Sequence, residues 1–153
     1  CDPAAVAAEV RDAMAERVRA EGGTLRVDVQ RDEICCTEGL YRQIVQNLAE
    51  NALKYRRPDV PPEIEMIGHA LDGRYELRVK DNGIGMTTEE TRRAFDMLYR
   101  APGVREQSGT GIGLSIVKRV VDASGGTVTA ESELGRGTTM IVVLPRADRS
   151  HPG

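Results

Sequence analysis

The sequence has few aromatic residues: among its 153 residues there is no tryptophan and only one phenylalanine, so aromatics make up 3%. A core must therefore be built from aliphatic side chains and methionine, and a hydrophobic content of 40% is sufficient for one globular domain. No apolar run approaches the roughly 20 residues of a membrane-spanning helix. The net charge of −3 lacks the basic excess typical of surfaces that bind nucleic acids or anionic membranes. We expect neither of those contacts from this chain.

Cysteine is also scarce, and its odd count of three argues against a disulfide framework and for a reducing compartment such as the cytoplasm. Cys35 and Cys36 are adjacent, and no further cysteine or histidine stands near them at metal-ligand spacing. We interpret them as small apolar residues of a short strand over residues 34–36. The sequence begins with Cys1 and has no signal peptide, so we expect a piece of a longer protein.

Apolar residues at helical spacing predict three main helices. The first follows Pro3 and ends at Gly22, the second is capped by Thr37 and runs to about residue 55, and the third covers residues 112–123. Residues 87–95 predict a shorter helix with Thr88 as its cap. The apolar residues of the three main helices are Val6, Val10, Met14 and Val18, then Leu40, Ile44, Leu48 and Ala52, then Leu114, Val117 and Val121.

Alternating apolar residues and turn signals predict five strands. They cover residues 25–29, 64–69, 74–80, 127–133 and 138–144, and the turns at Asp72-Gly73 and Gly135-Arg136-Gly137 each join two of them. This order predicts an α+β fold, a two-layer sandwich with three main helices over one face of a mixed, mostly antiparallel sheet. We expect the domain to occupy residues 1–147 and to be followed by a short tail, 148–153.

The second helix carries polar amides at four-residue spacing: Gln43, Asn47 and Asn51. Asparagine is a poor residue for a helix interior, because its amide competes for backbone hydrogen bonds. The stripe is either a solvated polar face or a set of neutral oxygen ligands for Mg²⁺, with Lys54 meeting a phosphate. Neutral ligands suit a metal that polyphosphate already holds, since additional carboxylates would repel that anion.

Asp81 ends a predicted strand on the same side as its apolar residues Leu77 and Val79. An inward carboxylate is costly unless a group donates hydrogen bonds to it, and the exocyclic amino group of adenine is such a donor. Gly83 and Gly85 follow and would let the backbone approach a flat ligand. The alternative is a plain turn in which Asp81 caps local N–H groups.

A second glycine-rich segment, residues 109–113, directly precedes the third helix. Backbone N–H groups at a helix N-terminus form an anion site, but the segment lacks the Lys-Ser/Thr of a P-loop and the third glycine of a Rossmann fingerprint. It is a phosphate loop of another kind or a hinge, and residues 96–108 before it form a candidate mobile loop.

Five motifs in this order resemble the ATP-binding catalytic domain of bacterial sensor histidine kinases, of the Bergerat-fold (GHKL) superfamily. The asparagine box is NLAENALKY (47–55), and the first glycine box is DNGIGM (81–86). A phenylalanine box, AFDMLYR (94–100), is followed by two further glycine boxes, GTGIGL (109–114) and GRGTT (135–139). The segment RRPDVPPEI is similar to that of kinases attached to phytochrome-like or PAS sensors.

The resemblance implies an ATP and Mg²⁺ site covered by a lid. Asn51 would hold Mg²⁺, Asn47 would lie beside the triphosphate, and Lys54 and Tyr55 would contact phosphates or ribose. Asp81 would accept a hydrogen bond from the adenine amino group. The remaining residues that the resemblance assigns to the site are Gly83 and Gly85 in the base pocket, Thr139 at the adenine end, Gly109, Gly111, Gly113 and Leu114 in the lid and the following helix, and Arg100 at the transferring phosphoryl group.

The resemblance further implies partners: a dimerisation domain that carries the phosphoaccepting histidine, and a response regulator downstream. This chain lacks the family's His-Glu motif, since no acid follows His69 or His151. It also has Leu98 where the phenylalanine box usually has a second phenylalanine.

A hydrolytic GHKL ATPase and a nucleotide-sensing or anti-sigma-type module are the alternative functions. Hydrolytic relatives carry a water-activating glutamate one turn before the metal-binding asparagine, and Asn47, which occupies that position here, cannot act as a base. Glu50 immediately precedes Asn51 and should point about 100° away from it. Phosphoryl transfer to a partner is therefore favoured over hydrolysis.

Overall fold

The computed structural model describes residues 1–96 and 113–147. The helices are α1 (Pro3–Ala20), α2 (Glu38–Lys54), α3 (Thr88–Arg93) and α4 (Gly113–Ala123). The strands are β1 (Thr24–Val29), β2 (Glu63–Leu71), β3 (Arg74–Asp81), β4 (Thr127–Glu133) and β5 (Gly137–Pro145). Most of the candidate mobile loop and the predicted tail lie outside these residues.

The five strands form one sheet in the order β1-β2-β3-β5-β4. β1 runs parallel to β2, and the other three pairs are antiparallel. The tight turn at Asp72-Gly73 joins β2 to β3, and both residues have positive φ, 51° and 76°, a conformation that glycine and aspartate tolerate better than most residues. The predicted mixed, mostly antiparallel sheet is confirmed.

The core lies between the helices and one face of this sheet. The face that meets the helices carries the alternate residues of the central strands, and all of the following are buried: Ile64, Met66, Leu77, Val79, Met140 and Val142. The predicted apolar stripe of α1 is also buried: Val6, Val10, Met14 and Val18. The described part of the chain is therefore the predicted two-layer α+β sandwich.

The buried face of α2 differs from the predicted one at its first turn. Leu40 is 42% exposed, whereas the following residue, Tyr41, is completely buried. Because α2 packs between α1 and α4, it buries a wider arc of its surface than the predicted stripe, and this arc contains Val45 as well as Ile44. The prediction of Leu40 as a core residue was wrong, because a four-residue spacing alone does not determine how wide the buried arc is.

Two local predictions also need correction. Thr87, not Thr88, caps α3, because the Thr87 side chain accepts from the backbone N–H of Glu90 and the Glu90 carboxylate accepts from the N–H of Thr87. The segment 34–36 is not a strand, since only Ile34 forms a bridge, and it pairs with Arg146. Within the residues that the structure describes, no helix combines the length and apolarity needed to cross a bilayer.

Candidate functional site

A cleft lies where the C-terminal half of α2 meets the loop after β3, the start of α4 and the start of β5. It is lined by Asn51, Tyr55, Asp81, Ile84, Gly85, Met86, Ala94, Leu114 and Thr138. Five of the site residues predicted from the sequence are therefore brought together: Asn51, Tyr55, Asp81, Gly85 and Leu114. Arg100, Gly109 and Gly111 lie outside the described residues.

Asp81 is the acidic residue in the wall of the cleft. It ends β3 opposite Ile64, on the sheet face that meets the helices. Its Oδ1 accepts hydrogen bonds from the backbone N–H groups of Gly83 at 2.8 Å and Thr138 at 3.2 Å. Burial raises the pKa of Asp81 from 3.8 to about 6, although these two hydrogen bonds oppose the rise. Asp81 thus caps local N–H groups, which is one of the two predicted roles. Its charged form is still disfavoured by burial, and a hydrogen-bond donor on a ligand can offset this cost.

The two glycines after Asp81 are required by the protein backbone itself. A Cβ atom on Gly83 would lie 2.4 Å from the carbonyl oxygen of Tyr55, and one on Gly85 would lie 2.1 Å from that of Glu133. Gly85 also has a positive φ of 71° and lines the cleft. Gly83 is buried under Tyr55 and does not line the cleft, so its predicted place in the base pocket is not where the structure puts it.

Thr138, not Thr139, faces the cleft. Strand β5 alternates, and Thr138 shares the helix-facing side with Met140, whereas Thr139 pairs with Lys80 on the opposite face. Thr139, which the sequence places at the adenine end, therefore has its side chain on the other side of the sheet from the cleft, a difference of one residue in the strand. The sequence hid this register, because every residue from Met140 to Leu144 is apolar and shows no alternation.

The amide stripe of α2 leads from the cleft to the start of α4. Asn51 lines the cleft. One turn earlier, Asn47 donates from Nδ2 to the carbonyl of Gln43 at 2.8 Å, and its Oδ1 would lie 3.5 Å from a Cβ on Gly113. The Lys54 ammonium lies 5.2 Å from the centre of the Tyr55 ring. Asn47 and Gly113 are therefore adjacent.

Glu50 is turned away from the cleft. Its carboxylate accepts from Gln46 at 3.0 Å and lies 3.6 Å from the guanidinium of Arg17 on α1. Among the residues that the structure describes, Asp81 is the one carboxylate that lines the cleft. The expectation that Glu50 does not face the site is confirmed.

The oxygen ligands of the cleft fit a metal ion that enters already bound to an anion such as a polyphosphate. Within residues 1–96 and 113–147, no group of three histidine, cysteine, aspartate or glutamate side chains could hold a metal ion. The cleft instead offers the neutral amide oxygen of Asn51. Mg²⁺ is usually bound through one or two protein oxygens, several waters and substrate phosphates rather than in an all-protein cage.

Comparisons with known proteins agree with this geometry. Residues 36–148 match the model of the family described as histidine kinase-, DNA gyrase B-, and HSP90-like ATPase. The sensor protein kinase WalK of Staphylococcus saprophyticus is 40% identical over 105 residues, which are 67% of this chain and 17% of that protein. The chain thus spans between 17% and 25% of the length of the WalK proteins that it matches.

Solved structures show the same fold. A mycobacterial sensor histidine kinase, MprB, has a TM-score of 0.82 and 25% identity over 95% of each chain. The full-length protein ShkA, solved in complex with AMPPNP, has a TM-score of 0.83 and 29% identity over 96% of this chain and 30% of that chain. From the matched motifs, the fold and the cleft, we conclude that this chain belongs to the family of histidine kinase-, DNA gyrase B- and HSP90-like ATPases.

Proposed function

We propose that this chain is the catalytic domain of a two-component sensor histidine kinase. It binds Mg²⁺-ATP and donates the γ-phosphoryl group to a histidine on a separate dimerisation domain. The observation that carries the proposal is the composition of the cleft, whose lining includes one half-buried carboxylate, Asp81, and the neutral amide of Asn51. That arrangement matches a purine with an amino group at one end and a metal-bound triphosphate at the other.

At the base end, Asp81 accepts a hydrogen bond from the adenine amino group. Its Oδ1 is already used by two backbone N–H groups, which leaves Oδ2 for the ligand. Gly85, Ile84 and Leu114 provide backbone and apolar surface for the ring. Thr138 takes the place at this end that the sequence had assigned to Thr139. The AMPPNP complex of the relative ShkA supports an adenine nucleotide as the ligand.

At the phosphate end, Asn51 contributes a ligand to Mg²⁺, and Asn47 lies beside the triphosphate. The proximity of Asn47 to Gly113 supports this, because the first N–H groups of α4 can bind an anion there. Lys54 and Tyr55 contact phosphates or ribose. The roles of three further residues rest on the sequence alone. Gly109 and Gly111 let the lid close, and Arg100 stabilises charge on the phosphoryl group that is transferred.

Transfer to a partner fits the site better than hydrolysis. The residue one turn before Asn51 is an amide, and Glu50 is engaged by Gln46 and Arg17 on the far side of α2. The partners are then a dimerisation domain of the parent protein and a response regulator downstream. Because the reaction consumes ATP, we place the domain in the cytoplasm, whether or not the parent protein is attached to a membrane.

The first experiment is a calorimetric titration with ATP, ADP and GTP, with and without Mg²⁺. We expect ATP and ADP to bind, GTP to bind much more weakly, and Mg²⁺ to strengthen ATP binding. The second experiment mixes the domain with the dimerisation domain of its parent protein and labelled ATP. Acid-labile phosphate on the partner is the expected result. ATP binding without phosphate transfer would instead support the nucleotide-sensing alternative.

A further inference from the structure

The hydroxyl of Ser132 lies directly behind the wall of the cleft. Ser132 pairs with Thr138 across β4 and β5, and their hydroxyl oxygens are 2.7 Å apart. Ser132 Oγ also accepts from the backbone N–H of Met86 at 2.8 Å and donates to the carbonyl of Gly137 at 3.0 Å. Ser132 itself does not line the cleft, but two of the residues it contacts, Thr138 and Met86, do.

One arrangement of the hydroxyl hydrogens lets all three contacts of Ser132 form together. A serine hydroxyl has one hydrogen and two lone pairs. The carbonyl of Gly137 can only accept, so it takes the hydrogen of Ser132, and the N–H of Met86 can only donate, so it takes one lone pair. The remaining lone pair of Ser132 accepts the hydroxyl hydrogen of Thr138. In this arrangement Thr138 directs its hydrogen towards Ser132 and keeps its lone pairs for the cleft that it lines.

The wall of the cleft beside Asp81 is then made of acceptors. Asp81 contributes its carboxylate, and the backbone N–H of Thr138 is occupied by Asp81 Oδ1. The hydroxyl oxygen of Thr138, on the neighbouring strand β5, adds a second acceptor. Such a wall attracts an amino group and repels a carbonyl oxygen. At position 6 of the purine ring, adenine has an amino group, whereas hypoxanthine and guanine have a carbonyl oxygen.

We infer that Ser132 is a positioning residue that sets the base specificity of the cleft by holding Thr138 as an acceptor. This inference rests on the proposed function, because it specifies how the same site distinguishes purines. If Ser132 is removed, the Thr138 hydroxyl loses its internal acceptor and is free to turn its hydrogen into the cleft. The wall can then donate to a carbonyl oxygen, and discrimination against it decreases.

A purely structural role for Ser132 makes a different prediction. Its bond to Met86 fastens the loop after β3 to β4, and loss of that bond alone would loosen the cleft for every nucleotide by the same factor. The informative quantity is therefore the ratio of two affinities and not either affinity alone.

The test is calorimetric titration of the domain with ATP and with inosine triphosphate, which carries a carbonyl in place of the amino group. We expect Ser132→Ala to lower the ATP-to-inosine-triphosphate affinity ratio by about fivefold, the effect of one hydrogen bond. Ser132→Thr, which keeps the hydroxyl, should restore the ratio to within about twofold of the original. Ser124→Ala is the matched control, since the Ser124 hydroxyl donates to Val120 in α4 and should leave both affinities unchanged.

Equal weakening of both nucleotides by Ser132→Ala would overturn the inference and leave the proposed function intact. Failure of the original domain to bind ATP would overturn the proposed function itself. Should Ser132→Ala not fold, Thr138→Val provides the second test, because it removes the same acceptor from the wall. The affinity ratio must fall in that variant too, and an unchanged ratio contradicts the inference.

Discussion

The carbonyl oxygen of Tyr55, at the end of α2, accepts a hydrogen bond from the backbone N–H of Ile84 at 2.9 Å. The carbonyl of Ile84 in turn accepts from the N–H of Gly135 at 2.7 Å. This bridge of backbone groups joins the helix that carries Asn51 to the loop that follows Asp81 and to the turn between β4 and β5. The two ends of the proposed nucleotide site are thus held at a fixed separation by the main chain.

Asp81→Asn should stabilise the domain without ligand at neutral pH. Burial raises the pKa of Asp81 from 3.8 to about 6, so the folded state holds its proton more tightly than the unfolded chain. The stability that Asp81 contributes is therefore fully present below pH 3.8 and is lost as pH rises through about 6. Asparagine keeps the Oδ1 acceptor for both backbone N–H groups but carries no charge.

Urea unfolding should show the Asp81→Asn variant more stable by about 1–3 kcal/mol at pH 7.5, with a smaller difference at pH 4.5. The same variant should lose about 1.5–3 kcal/mol of ATP binding, since a charge-assisted hydrogen bond is removed. If the stability difference between the variant and the original domain were the same at both pH values, the Asp81 carboxylate would carry no burial cost. Unchanged ATP affinity would remove Asp81 from the adenine role.

Asn51→Asp should weaken ATP binding more in the presence of Mg²⁺ than in its absence. A carboxylate in place of the amide alters the metal ligand and adds negative charge beside the triphosphate, and we expect about a tenfold loss of Mg²⁺-ATP affinity. Gln30→Glu adds the same charge at an exposed side chain that does not line the cleft and is the matched control. Equal losses with and without Mg²⁺ would argue against the ligand assignment of Asn51.

Glu50→Gln should leave phosphoryl transfer and ATP hydrolysis within about twofold of the original rates. The Glu50 carboxylate contacts Arg17 and Gln46, and neither of these residues lines the cleft. Both side chains of the Glu50–Arg17 ion pair are exposed to solvent, so loss of the pair should cost at most ~1 kcal/mol of stability. Rates measured with labelled ATP that fell more than about tenfold would make Glu50 a candidate base after all.

Gly85→Ala should be far more destabilising than Gly135→Ala. Both glycines have positive φ, 71° and 84°, which costs alanine about 1 kcal/mol at either position. A Cβ at Gly85 would also lie 2.1 Å from the carbonyl oxygen of Glu133, whereas nothing lies within 4 Å of one at Gly135. Thermal unfolding should show an additional loss of about 1–3 kcal/mol for Gly85→Ala, and similar melting of the two variants would contradict the close backbone contact.

Tyr41→Phe and Tyr75→Phe should change stability in different directions. The hydroxyl of Tyr41 is buried without a hydrogen-bond partner among the described residues, so its removal should be neutral or stabilising by up to ~1 kcal/mol. The hydroxyl of Tyr75 donates to the carbonyl of Gln30 at 2.6 Å, and its loss should cost about 1 kcal/mol. Chemical unfolding of the two variants side by side tests this, and equal destabilisation would indicate a partner for Tyr41.

Local signals in the sequence were sufficient to predict the elements and much of the site. The cap at Thr37, the turn at Asp72-Gly73 and the stripe of α1 depend on neighbouring residues alone, and all three are confirmed. The spacing of Asn47 and Asn51 on one helix likewise fixes that they lie one turn apart. These features need no knowledge of distant contacts, because hydrogen bonding and side-chain direction within a turn are set locally.

The sequence by itself thus determined most of the core residues, the order of the main helices and the five strands, and which acid and amides are available for a ligand. The tertiary structure alone decided that Thr138 and not Thr139 meets Asp81, that Gly83 packs under Tyr55, and that Glu50 faces Arg17. The physical reason is that strand register and helix rotation come from packing between distant segments. A shift of one residue in a strand moves a side chain to the opposite face, while the local sequence pattern scarcely changes.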